Sequence, residues 1–111
     1  MGTNPRRTNG HRRDQVRRKV LREETQCHLC GIPVDKTLPH GLPASPEVDE
    51  LVPVALGGDP YDRRNCRLAH RYCNRYRWHG PVGPARTYLH ANPPPFAIRP
   101  EPASPVSSRR W

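Results

Sequence analysis

The chain is short of the material from which hydrophobic cores are made. Of its 111 residues one is Phe, one is Met and two are Trp, and 33% are hydrophobic. No apolar run reaches membrane-spanning length, and the opening "MGTNPRRTNG" lacks the apolar stretch of a signal peptide. These absences argue against a membrane-spanning or secreted protein and predict a cytoplasmic one. Acid is scarce as well: 10 Asp and Glu stand against 19 Lys and Arg, for a formal charge of +9. That balance favours a polyanionic partner. Nucleic acid comes ahead of an anionic membrane, because no segment sets a bulky apolar face against its basic one. A chain this small, with so little to bury, needs a staple. Four cysteines in a reducing compartment make metal a better staple than disulfides.

What is present divides into three stretches. Residues 1–22 are a basic arm. In it "HRRDQVRRKVLREE" predicts a helix capped by Asn9, with Val16, Val20 and Leu21 on one side. Residues 23–80 hold all four cysteines and read as the folded unit. Residues 81–111 include "ANPPPFAIRPEPASPVSSRRW", Pro- and Ser-rich without periodicity, and predict an irregular tail. Within the middle stretch "CHLC" is a tight knuckle and "GIPVDKTLPHGLPASP" a long loop. "EVDELVPVAL" reads as a strand and "GGDP" as a turn. "DRRNCRLAHRYCNRYRW" has no Gly or Pro and predicts a helix of about four turns, capped by Asp62 or Asn65.

Cys27-x-x-Cys30 is half of a structural zinc site. The other half must come from Cys66, His70 or Cys73. On one helix, Cys66 and Cys73 would lie about 10 Å apart along the axis, too far for two sulfurs each about 2.3 Å from one ion. His70 and Cys73, three apart, share a face; Cys66 and His70, four apart, could also chelate. The favoured set is Cys27, Cys30, His70 and Cys73. Cys66 is then a small buried apolar residue and His28 a neighbour of the site. The same helix would turn Leu68, Tyr72 and Tyr76 inward for packing. Arg67, Arg71 and Arg75, with Asn74, would form a basic face. No acid occurs between Arg63 and Trp78 to balance it, which predicts contact with phosphate.

The knuckle, then "VDELVPVALGG", then "RRNCRLAHRYCNRYR" together resemble the HNH endonucleases, and most closely the small HNH proteins of bacteriophages that infect actinobacteria. The resemblance covers about residues 12 to 78. It implies an α+β fold: a small zinc-stapled ββα-metal domain, with the basic helix before it and the Pro-rich tail after it. It implies that Asp49 and Asn74 hold a catalytic Mg²⁺ or Mn²⁺, and that Asn65 braces the hairpin loop. It also implies that Cys27, Cys30, His70 and Cys73 hold a structural Zn²⁺. Glu50 stands where the family has its histidine general base, a "DE" variant of the first motif, and His70 replaces a more usual cysteine.

The expected function is therefore divalent-metal-dependent hydrolysis of DNA phosphodiester bonds. DNA would be gripped through its backbone by Arg67, Arg71 and Arg75 and by Arg12, Arg13, Arg17 and Arg18. The resemblance further implies a phage- or prophage-encoded protein in a bacterial cytoplasm, assisting a terminase or portal protein in DNA packaging. The reading from a different class is a zinc-stabilised DNA-binding protein without catalysis. The two part at Glu50, since carboxylate is a weaker base than imidazole.

Overall fold

The computed structural model describes residues 5–96, with side chains from residue 10 onward. The order of elements is helix α1 (Pro5–Glu23), the knuckle, a long loop, strand β1 (Pro46–Glu50), strand β2 (Cys66–His70), helix α2 (Arg71–Arg77) and helix α3 (Val82–Ala91). Single 3-10 turns at Val54–Leu56 and Arg63–Asn65 lie between the strands. This is a small α+β fold. Among the described residues no helix is long and apolar enough to cross a membrane.

Helix α1 keeps the expected apolar side. Val20 is fully buried, and Val16 and Leu21 pack against the core beside it. Asn9 does not cap it, because the helix already runs from Pro5, whose fixed φ suits a first turn. The chain then doubles back. Cys27 N–H donates to the Ile32 carbonyl, and Gln26 pairs with Pro33 across the knuckle.

The expected four-turn helix over residues 62–78 is corrected. Its first half is β2, paired antiparallel with β1 in a register that sets Asp49 opposite Arg67 and Glu50 opposite Cys66. Alone, β1 would leave a row of backbone N–H and C=O groups unpaired, and no intrinsic preference in "CRLAH" is strong enough to outweigh that pairing. Asp62 does cap, but it caps the short 3-10 turn, accepting from Arg64 N–H. The predicted strand is likewise shorter than "EVDELVPVAL", ending at Glu50. Its loop closes on the expected glycine pair. Gly57 adopts φ 92°, and a Cβ on Gly58 would fall 1.6 Å from the Val52 carbonyl oxygen.

Helix α2 has seven residues and no side-chain N-cap. The long loop serves instead: Ser45 and Pro43 carbonyls accept from Arg71 and Tyr72 N–H, at 2.8 and 2.9 Å. The tail is corrected too. Val82–Ala91 is helical, with Ala85 and Leu89 buried in the core and Pro94 buried beyond them. Apolar positions at Val82, Ala85 and Leu89 lie on one face of "VGPARTYLHA", a short pattern masked in the sequence by Pro84 within it and the prolines on either side. The core thus draws Val20 from α1, Leu29, Ile32 and Val34 from the knuckle region, Leu68 and Ala69 from β2 and Leu89 from α3.

Candidate metal centre and adjoining cleft

The knuckle, the end of β2 and the first turn of α2 converge on four buried side chains. The ligand atoms of Cys27, Cys30, His70 and Cys73 all lie within 4.8 Å of one another. His70 is the last residue of β2, and Cys73 follows one turn later, so the strand-to-helix corner delivers both. The ligand set expected from the sequence is therefore the one gathered here, although the helix used to argue for it is half strand. Cys66 lies at the other end of β2, where its thiol points at the Pro60 carbonyl, 3.6 Å away. Burial, with help from Glu50, pushes its pKa up to about 11 against the pull of Arg63, so it is an inert thiol.

The four residues fit a zinc ion. Backbone N–H groups of Cys30 and His70 both point at Cys27 Sγ, 3.5 Å away. His70 Nε2 faces the Pro33 carbonyl at 3.2 Å, which leaves Nδ1 turned toward the sulfurs. Hydrogen bonds from Cys30 and Cys73 drive the Cys27 pKa far below the thiol range despite burial. Burial works against charge on His70, yet hydrogen bonds to Cys27 and Cys30 raise it to about 9. Cys27 and Cys30 in turn push Cys73 up, since one thiolate discourages the next. A divalent cation resolves that conflict by letting neighbouring thiols ionise together, and a mixed sulfur and imidazole tetrad suits zinc. These four residues could hold one.

Beside the centre, β1 and α2 enclose a cleft of about 330 Å³ lined by Glu47, Asp49, Glu50, Asn74, Arg75, Trp78 and others. Strand alternation sends Glu47 and Asp49 toward α2. Glu47 Oε1 accepts from Asn74 Nδ2 at 2.9 Å and Oε2 from Arg71 at 3.0 Å. Asp49 is buried. Each of its oxygens lies 2.9 Å from Arg77 Nη1, and Oδ2 lies 2.8 Å from His28 Nε2. Arg77 donates also to the carbonyls of Glu50, Leu51 and Gly80. Arg86 from α3 reaches His28 Nδ1 at 3.0 Å. An arginine only donates, so Nδ1 accepts and Nε2 is left to donate to Asp49. A chain Arg86–His28–Asp49–Arg77 thus ties α3, the knuckle, β1 and α2 together. His28, expected as a neighbour of the metal, fills that place.

Glu50 is the last residue of a regular strand and so faces the other way from Asp49. Its carboxylate lies 3.6 Å from Arg13 of α1. It lines both the cleft described above and a second one with Arg13, Arg17 and Cys66. Asn65 stands across the hairpin loop. Its Oδ1 accepts from Val52 N–H at 2.9 Å, and its Nδ2 donates to the Val52 and Asp59 carbonyls. The expected brace is present.

The expected arginine row is not. Arg67 sits on β2, bonded to Glu24 at 3.1 Å, and Arg71 is tied to Glu47. Arg75 is exposed, and among the described residues no carboxylate pairs with it. On α1, Arg12 lies 3.9 Å from the centre of the Tyr61 ring, while Arg17 and Arg18 are exposed. Tyr72 and Tyr76 do not pack inward but are 42% and 50% exposed. Sequence reasoning missed Glu24, Glu47, Arg77 and Arg86 as organisers of this region, because their partners lie far away along the chain. Comparison with known protein families, curated proteins and solved structures gave no match.

Proposed function

We propose that the protein is a divalent-metal-dependent DNA endonuclease of the ββα-metal type, its structure held by zinc. The observation that carries the reading is the cleft. An antiparallel hairpin and the helix after it set Asp49, Glu47 and the Asn74 amide around one opening, and Asn65 ties the hairpin loop. Arg75 stands at the rim, with no carboxylate paired to it among the described residues.

A catalytic cation fits the donor set in part. Asp49 Oδ1 accepts a single hydrogen bond and keeps a lone pair. Asn74 spends its Nδ2 on Glu47, and among the described residues nothing donates to its oxygen. Hard oxygens of this kind suit Mg²⁺ or Mn²⁺, held by Asp49 and Asn74. A bound cation of this class stabilises charge on a phosphate and lowers the pKa of water. The protein's own groups do the rest. Glu50, at the rim between the two clefts, takes the proton from the attacking water. Arg75 holds the phosphate, and Asn65 keeps the loop behind Glu50 in register. The basic outer face of α1, with Arg12, Arg13, Arg17 and Arg18, lies along the duplex backbone.

The non-catalytic reading has one observation in its favour: Arg77 already neutralises Asp49, and His28 bonds it as well. Incubating the zinc-loaded protein with supercoiled plasmid separates the two. Relaxed or linear product that appears with Mg²⁺ or Mn²⁺ supports the nuclease. Retarded but uncut plasmid with every divalent cation supports the binding protein.

A further inference from the structure

The outward face of α2 carries a second groove, of about 440 Å³, lined by Pro43, Arg71, Tyr72, Arg75 and Tyr76. Cavities of this order hold small aromatic groups. The two tyrosines are one helical turn apart and both are exposed. Among the described residues each meets one other ring, and that one edge-on: Phe96 at 5.7 Å for Tyr72, Tyr88 at 4.7 Å for Tyr76. A ring with one edge-on neighbour keeps a face for stacking. Arg75 lines both this groove and the cleft beneath β1, so the two openings share a wall. Among the described residues no carboxylate lines the groove.

The cleft side carries an aromatic too. Trp78 is 72% exposed and begins a tight turn closed by Gly80 N–H to the Arg77 carbonyl. Its φ of 51° and ψ of −116° are the values of the first central position of a type II′ turn, where glycine is the usual occupant. A large ring is held outward there at the expense of backbone comfort.

From these features we infer that α2 binds an unpaired stretch of DNA, with bases stacked on Tyr72 and Tyr76 and the backbone against Arg75, next to the cleft where the proposed cut occurs. The charge selects the occupant. Exposed aromatic faces beside unpaired arginine, on a chain of net charge +9, match a strand that offers bases and phosphates together. A duplex buries its base faces and gains nothing from the tyrosines. The inference rests on the nuclease reading for its biological setting, but its test does not involve cutting.

The test is fluorescence anisotropy of a labelled single strand, and of the same sequence as duplex, with the full-length zinc-loaded protein and no added Mg²⁺ or Mn²⁺. Tyr72→Ala and Tyr76→Ala should each weaken single-strand binding about tenfold and leave duplex binding within about twofold. Tyr→Phe at either position should bind as the wild type. Tyr→Leu, which keeps apolar bulk and so protects the fold, should lose affinity like Tyr→Ala. Equal losses for single strand and duplex would overturn the inference, as would leucine variants that bind single strands normally, or a wild type that does not bind them. Intact stacking in a protein that never cuts would remove the nuclease reading alone.

Discussion

Glu24 shows how single residues hold this small fold together. Its carboxylate, at the exit of α1, accepts from Leu68 N–H on β2 and from the side chains of Arg63 and Arg67. Burial raises its pKa, but those bonds prevail and hold it below the usual 4.5. Its contribution is therefore complete above pH 4.5 and fades as pH falls through the lower folded value. Glu24→Gln should cost about 2 kcal/mol at neutral pH in urea unfolding, and the gap from wild type should close below pH 4.5. A gap unchanged down to acid would deny the carboxylate this role. The Cys/His tetrad makes its own residue-level prediction if it holds zinc. Cys73→Ser should lose the metal and most of the folded state, while Cys66→Ser should keep full zinc content by elemental analysis. The ligands were legible in the sequence because short spacings, two between cysteines and two between His70 and Cys73, carry the geometry locally. The ion pairs were not. Glu24 and Arg67 are 43 residues apart, and Asp49 and Arg77 are 28 apart. An acid-free window around the arginines therefore said nothing about their true partners.

At the scale of elements, the hairpin's turn and the apolar side of α1 were written in local chemistry: Gly57-Gly58, and the spacing of Val16 and Val20. The division of residues 62–78 into strand and helix was not. Residues Cys66–His70 become β2 because β1 needs a partner, a demand that originates outside the segment. Helix α3 was hidden by the prolines around it, and its role is larger than that of a tail. Arg86 donates to the His28 carbonyl at 2.9 Å as well as to its ring, and Phe96 meets His70 edge-on at 5.3 Å. Ending the chain after Gly80 should therefore abolish cooperative unfolding. Ending it after His90, which removes Pro94 and Phe96, should lower the melting temperature. Circular dichroism melts of the two truncations check this; a chain ending at Gly80 that melts like the full protein would show that α3 is only appended.

Over the whole molecule the formal charge of +9 does not spread evenly. Acids at Glu23, Glu24, Glu47 and Asp49 satisfy Arg63, Arg67, Arg71 and Arg77, and so the concentration of carboxylates at residues 47–50 serves the fold as well as the cleft. Among the described residues, much of the basic charge that no carboxylate pairs with sits on α1 and at Arg75. Affinity for DNA should fall steeply with salt. Arg75→Ala should reduce the slope of log K against log salt by about one, while Arg67→Ala should leave the slope alone and cost stability instead. Titrations at several salt concentrations distinguish the two. An Arg67 effect equal to that of Arg75 would mean that its pairing with Glu24 does not persist in solution.

If the cleft between β1 and α2 cuts DNA with Glu50 as its base, the deciding quantity is the rate at which Glu50→Gln relaxes supercoiled plasmid in Mg²⁺ or Mn²⁺, beside the wild type at equal zinc content. The substitution keeps the size of the side chain and removes its ability to take a proton. The wild type should cut in a metal-dependent way, and the variant should lose at least about a hundredfold in rate with DNA affinity unchanged. Cutting by Glu50→Gln at the wild-type rate would contradict that role for Glu50.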